Sequence, residues 1–405
     1  MRIVVFETSA DGHRFVYMKL LLPAVAELAD HVTVALPADA PQRTEYQQLL
    51  APLADRVSFD PWLPSLKRKA FHGALAKLRL VRQSIARAQA DYLIVPHLDG
   101  LAQSMGLMRG LRNAIPRHVV SEGLLLRGAF AYPEPSALRR AKKRLSWRLV
   151  RHCPMTYMHH LDPIVYEKIT RQPDAARWLL MPDPVEQPTA MSRSEARRML
   201  GVPEDGRYVG CAGTLDKRKG VDLLMRAFAD AKLADSDRLL LLGPVHAELR
   251  PLLDGPYAEL VRAGRIIVHD RFFDPQDLGT AMQAMDLVCT FYPDHIGTAS
   301  IVLRAAAARR PVLASSFGWM GMVVPRMKLG TVCNVRDPDA ARDALIVALE
   351  RAASYEPTEA GRRFSAFHSV ENFQTTWTVR LRQTLGLPPA EGQRPWSWVL
   401  EAADS

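Results

Sequence analysis

The sequence predicts an α/β protein of two doubly wound, Rossmann-like domains facing a cleft, and three observations carry that prediction. Short apolar runs rich in Val, Ile and Leu alternate with longer amphipathic stretches along most of the chain, as parallel strands covered by crossover helices on both faces do. A proline cluster (Pro182, Pro184, Pro188) interrupts the alternation, which then starts again. The length, 405 residues, exceeds one ordinary domain.

In chain order, Ile3–Phe6 reads as a buried strand, Tyr17–Leu28 as an amphipathic helix and Val32–Leu36 as a second strand. Arg56–Phe59 and Tyr92–Val95 continue the strands, separated by a basic helix around Lys67–Arg87. Leu101–Leu111 and Val119–Val120 add a helix and a strand. Beyond the prolines, Ser192–Glu195 carries the Ser-x-x-Glu start signal of a helix. Strands follow at Tyr208–Cys211, Leu239–Leu242, Ile266–Val268, Leu287–Thr290 and Pro311–Ala314, with helices between them. Asp339–Ala353, Glu371–Leu385 and Pro395–Leu400 read as terminal helices. The expected organisation is a first domain over 1–181, a second over 182–370, and helices over 371–405 packing back on the first, with Trp396 and Trp398 as packing residues.

Composition narrows the function classes. With 48% hydrophobic and 24% charged residues the chain is an ordinary globular protein. Its four cysteines (Cys153, Cys211, Cys289, Cys333) are far apart and lack ligand spacing, which suits a reducing, cytoplasmic compartment and suggests no zinc site. The start, MRIVVFETSADGHR, turns polar too soon for a signal peptide, and no apolar run reaches membrane-spanning length. A formal net charge of +10 favours anionic partners.

In doubly wound sheets ligands sit beyond the carboxyl ends of the strands, so the residues that follow each strand are the candidates. In the first domain these are Asp11, Gly12 and His13, then His97 and Asp99, then Ser121, Glu122 and Gly123. His13 has the chemistry to orient or deprotonate a hydroxyl, with a helix-capping loop role as the alternative. Glu122 and Asp99 are carboxylates that suit ligand hydroxyls or a base role, with turn or cap roles as the alternative. His159, His160 and Asp162 resemble a ligand cluster, but adjacent histidines on an extended chain point in different directions, and no metal is expected.

The stretch VGCAGTLDKRKGVDLLMRA, Val209–Ala227, organises the second domain. A strand ends in a turn containing Gly213 and Thr214, three cations follow (Lys217, Arg218, Lys219), and Gly220 opens a helix. Unpaired amides at a helix start, joined by cations, suit a diphosphate; a solvated charge cluster is the alternative. Gly297, Thr298, Ala299 and Ser300 open a second helix whose amides suit another phosphate.

This stretch resembles the strand–turn–helix of GT-B glycosyltransferases, in particular the retaining, family-four-like group, in which a Gly–Arg–x motif and a Lys–Gly pair bind the donor diphosphate. LLLLGP, RIIVHDRFFDPQDLGTAMQAMDLVCTFYPD and ASIVLRAAAARRPVLASSFGWMG follow in that group's order, so the likeness covers most of Pro182–Asn334 and, more loosely, the first domain. The chain also departs from the pattern. Thr214 stands where the group carries Arg, with Arg218 or Lys217 as a substitute. Ile296 and Arg304 stand where it carries two glutamates, the second of which holds the donor ribose, and Asp294 and His295 are the polar neighbours. Glu122 stands where the group often has a histidine.

The resemblance implies a metal-independent transfer of a sugar from a nucleoside diphosphate sugar, a co-substrate rather than a cofactor, to a hydroxyl-bearing sugar, lipid-linked or small-molecule acceptor. Glycan, glycolipid or natural-product biosynthesis is the setting. The alternatives are a degenerate, non-catalytic binder of nucleotide sugars or anionic polymers and, more distantly, a sugar-nucleotide epimerase. Nucleic acid is not expected as a partner. Ser136–Arg151 carries seven Lys/Arg and no acid, with Leu138, Ala141, Leu145 and Leu149 on one face; such a helix suits the surface of an anionic membrane or an anionic acceptor.

Overall fold

A computed structural model of the chain describes residues 1–10, 12–64, 74–109 and 114–404, and at 12, 13, 275 and 276 the backbone only. The chain divides into two compact units: Met1–Pro182 with Val370–Gln393, and Asp183–Ser369 with Arg394–Ser405.

Among the described residues, seven strands form the sheet of the first unit. They are β1 (Arg2–Phe6), β2 (His31–Pro37), β3 (Ser58–Leu63), β4 (Tyr92–Val95), β5 (Val120–Leu125), β6 (Tyr157–His160) and β7 (Trp178–Leu180). All pairings are parallel, in the order β3-β2-β1-β4-β5-β6-β7. The winding therefore reverses between β1 and β4. Every residue of β4 is buried, because helices cover both faces and no alternation with polar residues is needed. Helix α1 (Gly12–Ala26) follows β1, α2 (Asp99–Met108) follows β4, and α3 (Ala137–Arg151) follows β5.

The second unit repeats the plan with β8 (Tyr208–Ala212), β9 (Arg238–Leu242), β10 (Ile266–His269), β11 (Leu287–Thr290), β12 (Val312–Ser315) and β13 (Gly330–Cys333), all parallel, in the order β10-β9-β8-β11-β12-β13. Here the reversal falls between β8 and β11. Helix α4 (Val221–Asp230) follows β8 and α5 (Ser300–Ala307) follows β11. The buried Asp286 carboxylate accepts from Arg197 Nη2 at 2.7 Å and from the Tyr208 amide at 2.7 Å, so it fastens the helix that precedes the sheet to β8 and β11. No described helix is long and apolar enough to cross a membrane.

The C-terminal segment splits between the units. In α6 (Val370–Thr384), Phe373, Trp377 and Leu381 join the core of the first unit beside Ile3, Val5 and Leu21. Helix α7 (Trp396–Ala403) belongs to the second unit instead: Trp396 packs edge-on against Phe364 and Phe367. The expectation that all of 371–405 returns to the first domain is corrected there. Three strands escaped the sequence reading for local reasons. β6 carries two histidines, β7 has three residues, and β13 begins at a glycine. The basic helix expected over Lys67–Arg87 is observed at Ala74–Ala88, and residues 65–73 lie outside the described ones.

Candidate active site

In the second unit the site grows from the turn after β8. Gly213 has φ +94°, and a side chain there would approach Lys219 Nζ to 2.4 Å, so the turn needs glycine to admit the lysine. Asp216 then caps a short 3₁₀ turn, Lys217–Lys219, accepting from the Lys219 amide at 2.9 Å. Gly220 (φ +67°) starts α4, and a Cβ there would lie 2.1 Å from the Phe291 carbonyl oxygen. The β8 turn and the segment after β11 are thus in direct contact at the winding reversal.

Lys219 is half-buried. Its Nζ donates to the Ala212 carbonyl at 3.3 Å and lies 5.9 Å from the Tyr292 ring centroid. Among the described residues no carboxylate lies within ion-pair distance of it. Burial lowers the Lys219 pKa, against the opposing pull of Cys211 and Asp216. A partly desolvated cation with no counter-ion favours an incoming anion. Arg218 is exposed and reaches Asp216 at 3.2 Å, and Thr214 is exposed on the same turn.

The segment after β11 supplies the other wall. His295 donates from Nε2 to, or is oriented by, the Thr298 carbonyl at 3.0 Å and stands edge-on to Tyr292. Burial lowers the His295 pKa, and the Arg218 and Lys219 charges lower it further. The Gly297–Ser300 stretch leads into α5 with Ala299 at the N-cap and no capping side chain, which leaves the first amides of the helix without a side-chain acceptor. Arg304 and Ile296, in the positions of the two glutamates, behave differently. Burial lowers the Arg304 pKa, opposed by Glu186 and then Asp183, while Ile296 is exposed. Asp294 is engaged with Arg336 at 2.5 Å.

In the first unit the equivalent reversal lies between β1 and β4. Asp11 and the side chain of His13 are outside the described residues. Glu7, at the end of β1, is buried. One oxygen takes Arg14 Nη1 at 2.6 Å and the Ser9 amide at 2.9 Å, and the other meets His97 Nδ1 at 2.6 Å. Burial alone would raise the Glu7 pKa, but His97 and Arg14 outweigh it and hold the carboxyl below its ordinary value. An ionised carboxylate only accepts, so Nδ1 of His97 carries the proton, and Nε2, buried without a hydrogen-bond partner, is the second ring position. Glu7 directly follows the Ile3–Phe6 strand, but its role depends on a partner 90 residues away; His97 was visible as a strand-end histidine.

The two carboxylates singled out in the sequence are otherwise employed. Glu122 does not end its strand: β5 runs on to Leu125, and the fully buried Glu122 meets His159 Nε2 at 2.9 Å from mid-sheet. That corrects its expected place at a strand terminus. Asp99 accepts from the Leu126 amide at 3.0 Å and the Arg127 amide at 2.9 Å, the turn role that stood as its alternative, and burial raises its pKa. His160 and Asp162 form a cap: the Asp162 amide donates to His160 Nδ1 at 2.9 Å, and Asp162 Oδ1 accepts from the Ile164 amide at 2.8 Å. No group of metal-ligating side chains occurs among the described residues.

Two parallel, doubly wound sheets, each with candidate residues at its winding reversal, define the GT-B class of fold. Solved structures agree over nearly the whole chain. Anabaena Alr3699/HepE in complex with UDP matches with a TM-score of 0.66 at 16% identity, covering 95% of this chain and 100% of that one. Sucrose-phosphate synthase from Thermosynechococcus elongatus matches with a TM-score of 0.68 at 17% identity, covering 95% and 99%. Within that fold, residues 206–351, all in the second unit, match the family model described as Glycosyl transferases group 1. Among curated relatives, the D-inositol 3-phosphate glycosyltransferase of Corynebacterium diphtheriae is 29% identical over 199 residues, 47% of this chain and 44% of the relative. That of Salinispora tropica is 31% identical over 234 residues, 54% and 45%. The chain thus aligns with less than half the length of either relative.

Proposed function

We propose that this protein is a glycosyltransferase that moves a sugar from a nucleoside diphosphate sugar to a hydroxyl-bearing acceptor. The observation that carries the reading is Lys219: a half-buried ammonium without a carboxylate partner, in the turn after the first strand of a glycosyl transferases group 1 domain. Lys219 and Arg218, the Gly213–Thr214 backbone and the Gly297–Ser300 amides would hold the diphosphate. As the bond from the anomeric carbon to the phosphate oxygen breaks, these groups would stabilise the charge left on the nucleoside diphosphate. No resident cofactor is assigned; the nucleotide sugar is the co-substrate.

The first unit would offer the acceptor group. The hydroxyl oxygen bonds to the anomeric carbon and its proton passes to a base. His97, held by Glu7, is the imidazole at that edge, and His13 follows the same β1 strand in sequence. UDP is the natural first probe, because the matching Alr3699/HepE structure is a UDP complex. Incubation with a panel of nucleotide sugars, read as released nucleoside diphosphate, tests the proposal. Release with transfer to an acceptor supports it; binding without release across the panel points instead to the non-catalytic binder, the reading favoured by Ile296 and Arg304.

We also infer contact with an anionic membrane through α3. Its side chains Leu138 and Leu145 are 81% and 60% exposed, and Arg140, Arg144 and Arg148 flank them in solvent. An apolar stripe edged by arginines suits the boundary between acidic head groups and acyl chains. Co-sedimentation with phosphatidylglycerol vesicles should fall with salt and on Leu138→Ser/Leu145→Ser; no binding at low salt rejects this contact.

A further inference from the structure

An adjoining face of α3 forms one wall of a cavity of about 590 Å3 within the first unit. The start of α2 and the end of β5 close it from the strand side, and Phe130 and Trp147 stack at 3.8 Å in its lining. Four cations line the cavity: Arg127, Arg139, Lys142 and Lys143. Two acids also line it, and both are committed. Glu134 pairs with Lys143 at 3.1 Å, and each oxygen of Asp99 takes a backbone amide. Among the described residues, Arg127, Arg139 and Lys142 therefore have no carboxylate within ion-pair distance. The volume is that of a small-ligand pocket. Arginine and lysine converging on one space suit a phosphate or carboxylate, and the ring pair with Leu125 and Val150 adds an apolar surface.

We propose that this cavity binds the anionic group of the acceptor, so that the acceptor is a phosphorylated, hydroxyl-bearing compound. The proposal rests on the glycosyl-transfer reading and narrows it. Its place fits that use: Asp99 and Arg127 stand just past β4 and β5, the strand edge where ligands bind in such sheets. The phosphate anchors on Arg139 and Lys142, and the remainder of the molecule lies toward Phe130 and Trp147. A soluble sugar or polyol phosphate and the head group of a phosphoinositide share this chemistry.

Calorimetry on the full chain separates the outcomes. Titrants are D-inositol 3-phosphate and glucose 6-phosphate, inositol and glucose as uncharged controls, and soluble dihexanoyl phosphatidylinositol for the lipid source. At least one phosphorylated titrant should bind, its uncharged control should not, and Arg139→Ala/Lys142→Ala should weaken binding tenfold or more. That double variant sits on a solvated helix where alanine is well tolerated, and it should leave UDP affinity unchanged. Binding of the lipid alone assigns the anion to a head group; binding of a sugar or polyol phosphate assigns it to a soluble acceptor. Binding of no phosphorylated titrant, equal binding of the controls, or unchanged affinity in the double variant overturns the proposal. Wild-type protein that takes phosphorylated titrants but neither UDP nor any nucleotide sugar would instead reject the donor reading and leave the cavity's anion site standing.

Discussion

The two winding reversals, one per unit, occupy the same topological position and are built with opposite charge balance. At β8 the turn gathers cations and leaves Lys219, among the described residues, without a carboxylate within ion-pair distance. At β1 the chain gathers a carboxylate and satisfies it fully, with His97, Arg14 and the Ser9 amide around Glu7. The first arrangement favours an incoming anion. The second satisfies its carboxylate and fixes the His97 ring, whose Nε2 is buried without a hydrogen-bond partner among the described residues. Under the proposed transfer, the first would hold the charged leaving group and the second would serve the hydroxyl.

The largest effect that would test the contrast is on turnover. His97→Ala should lower the transfer rate about 100-fold or more, the usual scale of general acid–base assistance, with UDP affinity unchanged. Glu7→Gln should act in the same direction, because an amide no longer fixes the ring as a carboxylate does. His13→Ala run in parallel decides which imidazole serves the acceptor. Wild-type turnover in a well-folded His97→Ala protein removes that residue from the chemistry, and the melting temperature establishes that it is folded.

The next effect belongs to the other reversal. Lys219→Ala should weaken nucleoside diphosphate binding by about 1.5–3 kcal/mol, the cost of one charge-assisted contact. Unchanged affinity by calorimetry would place the diphosphate elsewhere, and the two reversals would no longer divide the work as described.

How much of this was legible in the sequence follows from where each signal lies. The β8 turn was readable because its chemistry is consecutive: Gly213, Lys219 and Gly220 lie within eight residues, and local spacing encodes the turn. The Glu7–His97 pair was not, because its partners are 90 residues apart and meet only when β4 pairs beside β1. Glu122 misled for a related reason. A strand was taken to end where apolar residues gave way to Ser121 and Glu122, yet β5 continues because His159 on neighbouring β6 satisfies the glutamate. The face of α3 bearing Leu138 and Leu145 was visible as a stripe, but periodicity alone does not say whether a stripe faces core or solvent.

The two units also differ in how they respond to pH. Each unit holds a buried histidine whose Nδ1 accepts a backbone amide: His160 from Asp162 at 2.9 Å in the first, His368 from Asp183 at 3.0 Å in the second. Burial lowers both, each to about 3. Above about pH 6.5 these rings are neutral in both folded and unfolded chains and contribute no pH dependence. As pH falls below 6.5 the unfolded chain takes up the protons first, so each histidine costs stability, by up to about 1.4 kcal/mol per pH unit. Asp162 opposes this in the first unit. Burial pushes it up to about 6, so between roughly pH 6 and 4 the folded state keeps a proton that the unfolded chain has released. Melting temperatures between pH 7 and 5 should therefore decline; His368→Asn should flatten the decline, and Asp162→Asn, which removes the opposing proton, should steepen it. The same slope in Asp162→Asn as in wild type would show that Asp162 does not compensate.

The smallest expected effect concerns Thr214. Its side chain is exposed on the β8 turn, beside the Gly213 position that admits Lys219. Replacing it with arginine restores the residue type that the resembling group carries there, and an exposed side chain can lengthen without displacing packed neighbours. The new guanidinium would sit near a site already cationic through Lys219 and Arg218. In the absence of ligand the repulsion should cost a little stability; with a diphosphate bound, the added charge should favour the complex. Both charges are solvated, so the gain is of the order of an exposed ion pair, about 0.2–1 kcal/mol, or a few-fold in affinity. It should shrink as salt rises, because screening acts on solvated charges first. A UDP titration of Thr214→Arg at low and high ionic strength measures it. If affinity is the same as wild type at low salt, the diphosphate does not approach the outer side of this turn, and Arg218 is then not its second cation.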